Sequence, residues 1–244
     1  MQTTHAETSA VAAAITDCFI TVPETTLPNG TVVPSFRVGQ YAATQGADGK
    51  ATVTADAMPW VRINFRDAIA ACQAAGYALI TETQWLAIAW NASQQDCNWT
   101  KGKVGEGKLF RGIRKDKVSE AQPGNVEPVS AKERRWLTLS NGERICDLNG
   151  NVFQWVFDDV QGDENGLIAK AFAADSPSIA TAPFPSMEKG MGWRPSAGSN
   201  WSGDALVRGG FWSSESLAGA FRLNCGWPGG AYDGVGFRCT QPGL

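Results

Sequence analysis

Two stretches of the chain repeat their apolar positions at helical spacing, and most of the rest alternates or breaks. After Asn64, the residues Ala68, Ile69, Cys72 and Ala75 recur at three- and four-residue intervals, which gathers them on one side of a helix. Asn64 suits the N-cap, Asp67 places a carboxylate in the first turn where the helix dipole favours it, and Gly76 is a natural stop. A second helix is predicted from Thr81, where Gln84 completes a capping box, with Trp85, Ile88 and Ala89 inward and an end near Asn91. Shorter runs predict strands. Residues 36–41 set Phe36, Val38 and Gln40 against Arg37, Gly39 and Tyr41. Residues 136–139 and 144–147 flank Ser140-Asn141-Gly142-Glu143, a hairpin signal, and residues 149–156 read as a turn followed by a strand. Residues 1–22 read as an N-terminal extension, helical over 10–18, ahead of one domain spanning 23–244. Residues 162–200 are irregular but long for a structureless connection, so they are expected to pack around the core.

The alternation matters most in residues 205–240. There Arg208, Gly209, Gly210, Trp212, Gly219, Phe221, Gly236, Phe237 and Arg238 read as scaffold. Between them Phe211, Ser213, Ser214, Arg222, Asn224, Cys225, Gly226, Tyr232 and Asp233 share no size, charge or polarity. An extended 221–224 turns Phe221 and Leu223 to one face and Arg222 and Asn224 to the other. The same alternation puts Trp212 inside, and Phe211 and Ser213 outside. Large aromatics on a Gly-rich, charge-poor segment suit a contact surface.

Composition narrows the function. With 24 acidic and 21 basic residues the net charge is −3, so no field draws the chain to nucleic acid. The basic stretch over 101–117 carries Gly102, Gly105 and Gly107 but lacks the Gly-Lys-Ser/Thr ending of a phosphate loop, and it reads as a solvated loop. Ten Trp, 27 Gly and 12 Pro favour a loop-rich fold with buried aromatics over a helical bundle. No run is apolar enough for membrane insertion, and the first apolar stretch lacks the basic start of a signal peptide. The chain is therefore expected in the cytoplasm, in a phage particle, or at a surface reached by a non-classical route.

His5 is the only histidine, which removes histidine-based metal sites and Ser-His-Asp or Cys-His machinery. Six cysteines without a CxxC pair argue against zinc and read as mostly reduced, small buried residues, with one or two disulfides left open. Asp158, Asp159, Asp163 and Glu164 have the oxygen density of a calcium site but no EF-hand spacing, and they read as a solvated turn. Glu127-Pro128 is followed by Val129, which breaks the sugar-binding signature of calcium-dependent lectins.

Asp147-Leu148-Asn149-Gly150-Asn151-Val152-Phe153-Gln154-Trp155 resembles the D-x-x-G-N-V-W-E-W block of formylglycine-generating-enzyme-like domains. Val207-Arg208-Gly209-Gly210-Phe211-Trp212 and Gly236-Phe237-Arg238-Cys239 resemble the closing R-G-G-S-W and G-F-R-C blocks of that group. The resemblance implies an α+β, C-type lectin-type fold, loop-rich, with two helices packed on short antiparallel strands. That enzyme carries two cysteines a few residues beyond its R-G-G block, whereas residues 213–219 here hold no sulfur. No catalytic residue and no cofactor are expected. A structural calcium is left open, with Gln154 standing where the family block has Glu.

The closer resemblance is to the variable proteins of diversity-generating retroelements, in which a lectin-type fold ends in a C-terminal variable region, here about 205–240. Copying of template adenines with errors randomises chosen AAC or AAT codons, so solvent-facing side chains vary over a fixed backbone. The implied function is ligand binding, the ligand expected to be a protein and the oligomeric state open. Such codons never yield Trp, Glu, Gln, Lys or Met, so Trp227 and Glu215 are expected to be fixed contributors. Phe211, Ser213, Ser214, Arg222, Asn224, Cys225, Gly226, Gly230, Tyr232, Asp233 and Gly234 are all compatible with diversified codons. The alternative is a formylglycine-generating-enzyme-like domain with another enzymatic or structural role, which predicts neither a template repeat nor a reverse transcriptase gene nearby.

Overall fold

The computed structural model describes residues 17–241. Both helices form where their spacing and caps predict. In α1 (Phe65–Ala74) the Asn64 side chain accepts the Asp67 N–H, and Phe65, Ala68, Ala71 and Cys72 are buried. α2 (Glu82–Ser93) opens on the capping box of Thr81 and Gln84. It runs two residues past the expected end because Ala92 and Ser93 prolong its buried side.

Fourteen short strands complete the described fold: β1 (Phe19–Val22), β2 (Thr25–Thr26), β3 (Val32–Val33), β4 (Phe36–Gly39), β5 (Thr44–Gln45), β6 (Ala51–Thr52), β7 (Ala78–Leu79), β8 (Trp136–Thr138), β9 (Arg144–Cys146), β10 (Phe153–Val156), β11 (Ala205–Arg208), β12 (Leu223–Gly226), β13 (Val235–Phe237) and β14 (Cys239–Gln241). They build one sheet in the order β1-β4-β14-β7, a second in the order β12-β11-β10-β13, and three two-stranded ribbons. One ribbon, β8 with β9, is the predicted hairpin. All pairings between these strands are antiparallel except β10 with β13. The result is an α+β fold of short, mainly antiparallel strands with two principal helices.

Phe19–Val22, placed by sequence in the extension, instead forms β1 and pairs with β4. Ile20 and Val22 are buried there, and this contact with a strand some twenty residues away leaves no local signal. Of the helix expected over 10–18, residues 10–16 lie outside the described residues, and Asp17 and Cys18 are not helical. The irregular 162–200 segment does pack on the core, where Ile168, Phe172 and Met191 join Trp85, Ile88 and Leu206. The buried indoles are also satisfied: Trp85 Nε1 donates to Ala220 O (2.8 Å), Trp99 Nε1 to Ser93 O (2.9 Å) and Trp155 Nε1 to Ile63 O (2.9 Å). No helix among the described residues is long and apolar enough to cross a membrane.

The chain passes directly from one sheet to the other at a single residue. Arg238 separates β13 from β14 and so stands where the chain crosses from one sheet to the other. Fully buried, it donates to Gln154 Oε1 (2.8 Å) in β10, Gly39 O (2.6 Å) in β4 and Cys146 O (2.7 Å) in β9. Its charge is thereby spread over acceptors on both sheets and the hairpin.

Candidate functional site

Strand β11 ends in a second buried arginine. Arg208 donates to both carboxylate oxygens of Glu82 in the first turn of α2, through Nε at 2.9 Å on one side. It also donates to Phe221 O (3.0 Å) and Ser178 O (3.1 Å). One side chain therefore binds α2, the 162–200 segment and the C-terminal stretch to the end of β11. The glycines that follow are set by close backbone approach. A Cβ on Gly209, which has φ +89°, would sit 2.8 Å from Leu148 O. One on Gly219 would sit 2.3 Å from the Met191 carbonyl, and one on Gly236 would sit 3.0 Å from Trp60 O. Arg208, Gly209, Gly210, Gly219, Phe221, Gly236, Phe237 and Arg238 are all buried.

On this frame one face of the β12-β11-β10-β13 sheet is left partly open. Phe153 and Trp155 from β10, Val207 from β11, Asn224 from β12 and Val235 from β13 form the floor of a pocket of about 300 Å³. Phe211 stacks on Phe153 with ring centroids 5.6 Å apart, and Tyr232 leans on Trp155 at 6.1 Å. These two rings make the walls. Three glycines leave them room. A Cβ at Gly226 would meet the Trp155 ring at 2.9 Å, one at Gly234 the Phe211 ring at 2.5 Å, and one at Gly230 the Tyr232 hydroxyl at 2.3 Å. The shape of this pocket thus belongs jointly to residues 211, 226, 230, 232 and 234. Beside it Trp227 is 67% exposed and Tyr232 is 40% exposed, an apolar rim open to a partner.

The loop that carries Tyr232 is tied down at several points. Phe65 N–H donates to Pro228 O (3.1 Å), Arg62 N–H to Tyr232 O (3.0 Å) and Phe153 N–H to Gly234 O (2.8 Å). Asp233 is exposed and pairs with Arg62 at 2.6 Å, and this partner holds its carboxyl below the usual range. As an exposed pair it adds little stability, but it fixes where the Asp233 side chain stands.

Several expected contact positions sit differently. Arg222 does lie on the Phe153 side of the sheet, yet it is only 6% exposed because its guanidinium stacks over that ring at 4.9 Å. Its Nε and Nη1 have no hydrogen-bond partner, and burial pushes its pKa down to about 10. Ser214 is buried and its hydroxyl accepts the Phe211 N–H (2.9 Å), so it shapes the turn instead of facing outward. Gly230 is buried against Tyr232. Trp212, expected inside, is half-buried and lines a groove with Met58, Val61 and Arg62. Ser213 is half-buried and Glu215 is exposed. Cys225 lines the pocket, its thiol pushed up to about 12 by burial and by Asp204 Oδ2 at 3.2 Å. The aromatic floor, Phe153 and Trp155, was missed as site material. Its one sequence signal was their alternation with Gln154.

Among the described residues no group of three His, Cys, Asp or Glu side chains is gathered for a metal. The acidic positions after Trp155 serve backbone turns. Asp158 is 1% exposed and accepts the N–H groups of Val160 and Gln161, both at 3.0 Å. Burial, then the Glu82 charge, push its carboxyl up to about 6. Asp159 accepts the Thr83 N–H, and Asp163 accepts those of Asn165 and Leu167. Gln154 accepts from Arg238 and donates to Asp147 O (2.8 Å), a pair of roles that an ionised Glu could not fill. Cys72 and Cys239 are buried with their sulfurs 3.3 Å apart, and Cys97 is exposed.

The sequence matches the sulfatase-modifying factor enzyme 1-like domain over residues 15–242. Among solved structures, Treponema denticola variable protein 1 superposes with a TM-score of 0.51 at 14% identity, over 92% of this chain and 94% of that one. CarF gives a TM-score of 0.51 at 14% identity, over 94% of this chain and 99% of that one. A U1 variant of the Major Tropism Determinant gives 0.43 at 15% identity, over 84% of this chain and 50% of that one. No curated protein sequence gives a significant match. With the family match, the likeness to the first two structures shows a shared fold, the C-type lectin-type fold of the formylglycine-generating-enzyme-like group.

Proposed function

We propose that this chain, which belongs to the sulfatase-modifying factor enzyme 1-like domain family, is a non-catalytic ligand-binding protein whose C-terminal surface is diversified by a retroelement. One observation carries the reading. Positions 211, 224, 225, 226, 232 and 234, which share no chemistry and pass the codon check, converge on one open pocket. The interleaved Arg208, Gly209, Gly219 and Arg238 are instead held by buried hydrogen bonds and close backbone contacts. A surface that varies over an unchanging frame needs this division.

The geometry supports binding in this way. The pocket accepts one apolar or aromatic side chain of a protein ligand between the Phe211 and Tyr232 rings, over the Phe153–Trp155 floor. Trp227 adds exposed contact area beside it. Because sheet and loop tethers already fix these rings, little ordering is needed on association. Asn224, Asp233 and Ser213 supply polar contacts at the edge. No cofactor is required for this role.

The test is a displayed library in which residues 211, 224, 225, 232 and 233 are randomised and selected against several unrelated soluble proteins. Binders are expected to keep the melting temperature of the parent and to lose affinity on alanine substitution at 211 and 232. A library that unfolds, or binders indifferent to positions 211 and 232, would overturn the proposal.

A further inference from the structure

A second cavity, about 530 Å³, opens between residues 108–115, residues 131–134 and the turn at Glu215 and Ser216. Six cations line it: Lys108, Arg111, Arg114, Lys115, Lys132 and Arg134. The only carboxylate in its wall is Glu215, while Glu133 stands behind, accepting the backbone N–H groups of Arg114 (2.7 Å) and Lys115 (2.8 Å). In a chain of net charge −3 this is a local excess that composition does not supply.

The cations are of two kinds. Arg111 and Arg114 are set into the wall. Arg111 donates to Ser216 O (3.0 Å), Arg114 to Glu215 O (3.3 Å), and Arg114 is only 8% exposed. Arg114 Nε has no partner. Burial, then the charge of Arg114, push the Arg111 pKa down to about 10, with Glu215 opposing the shift. Lys108, Lys132 and Arg134 stand at the exposed mouth, and the Arg134 guanidinium is oriented by stacking 4.7 Å over Phe110. A buried guanidinium donor without an acceptor is costly. An oxyanion in the cavity would supply the missing counter-charge and relieve the repulsion between the two arginines.

We propose that this cavity binds a small molecule bearing two or more phosphate or sulfate groups. One anionic group would sit against Arg111 and Arg114, and a second at the Lys108–Lys132 mouth. Enclosure on three sides by chain segments favours such a compact polyanion over an extended one. The site is separate from the aromatic pocket and does not rest on how that pocket is used.

The experiment is titration calorimetry of the full chain at low ionic strength with two probes, inorganic pyrophosphate and a disulfated disaccharide. Saturable binding of at least one probe is expected, and which one binds separates the phosphate from the sulfate source. Lys108→Ala with Lys132→Ala should weaken it roughly tenfold or more, as loss of charge-assisted contacts does. Lys101→Ala with Lys117→Ala removes the same charge from exposed positions outside the cavity and should leave affinity unchanged. Glu215→Gln removes the wall carboxylate and should tighten binding several-fold. Absence of binding by both probes, or equal losses in the two lysine pairs, would overturn the proposal.

Discussion

Replacing Glu82 tests whether one buried ion pair holds the C-terminal stretch to the helical half of the fold. Glu82 and Arg208 are both fully buried, and the carboxylate meets two guanidinium nitrogens. In Glu82→Ala the guanidinium loses its counter-charge while staying out of water, a loss of about 3–5 kcal/mol. Arg208 keeps Phe221 O and Ser178 O as acceptors, which places the expected loss near the lower end, about 3 kcal/mol. For a chain of this size that corresponds to a fall of roughly 6–12 °C in melting temperature. Glu82→Gln keeps the shape and one acceptor, so it should fall between wild type and Glu82→Ala. Urea unfolding followed by tryptophan fluorescence gives the three free energies. A loss below about 1 kcal/mol in Glu82→Ala, or equal losses in the two variants, would refute the reasoning.

Other consequences follow from single residues. The Asp158 carboxyl titrates near 6 in the fold against 3.8 for an unperturbed Asp, so the folded state binds the proton more tightly. Stability from this group is present at low pH and is lost as pH rises through about 6, by about 3 kcal/mol in all. Asp158→Asn should therefore be stabilising at neutral pH and nearly neutral at pH 4, as read from urea midpoints. Gly219→Ala drives a methyl into the Met191 carbonyl and should cost about 2 kcal/mol or more, measured by thermal unfolding. Gly234→Leu should close the aromatic pocket against Phe211, abolishing binding of a selected ligand while far-ultraviolet circular dichroism stays unchanged. Of the six thiols, exposed Cys97 should react first with an aromatic disulfide reagent, while buried Cys72, Cys146 and Cys239 stay protected until unfolding.

What the sequence disclosed was local or block-like. The caps at Asn64 and Thr81 act within three residues, and the 140–143 turn closes its own hairpin, so each is readable in place. The Arg208 and Arg238 blocks were legible as scaffold, though not the reason: both arginines are buried hubs whose acceptors are scattered from Gly39 to Phe221. Three features escaped because they exist only in the fold. The pocket floor needs β13 laid parallel to β10 across some eighty residues. Ser214 reads as a free polar residue until its hydroxyl is seen holding the Phe211 N–H. The basic stretch is the loop its composition indicated, but residues 131–134 and Glu215 come up beside its far end only in space.

The central claim is that residues 205–240 carry a diversified surface on a fixed frame. Sequencing this gene and its flanks in many isolates of the source population tests it most directly. The account predicts substitutions confined to adenine-derived codons at positions such as 211, 224, 225, 232 and 233, with Trp212, Gly219, Phe221 and Phe237 constant and a template repeat beside a reverse transcriptase gene. An invariant 205–240 segment with no template repeat would contradict it.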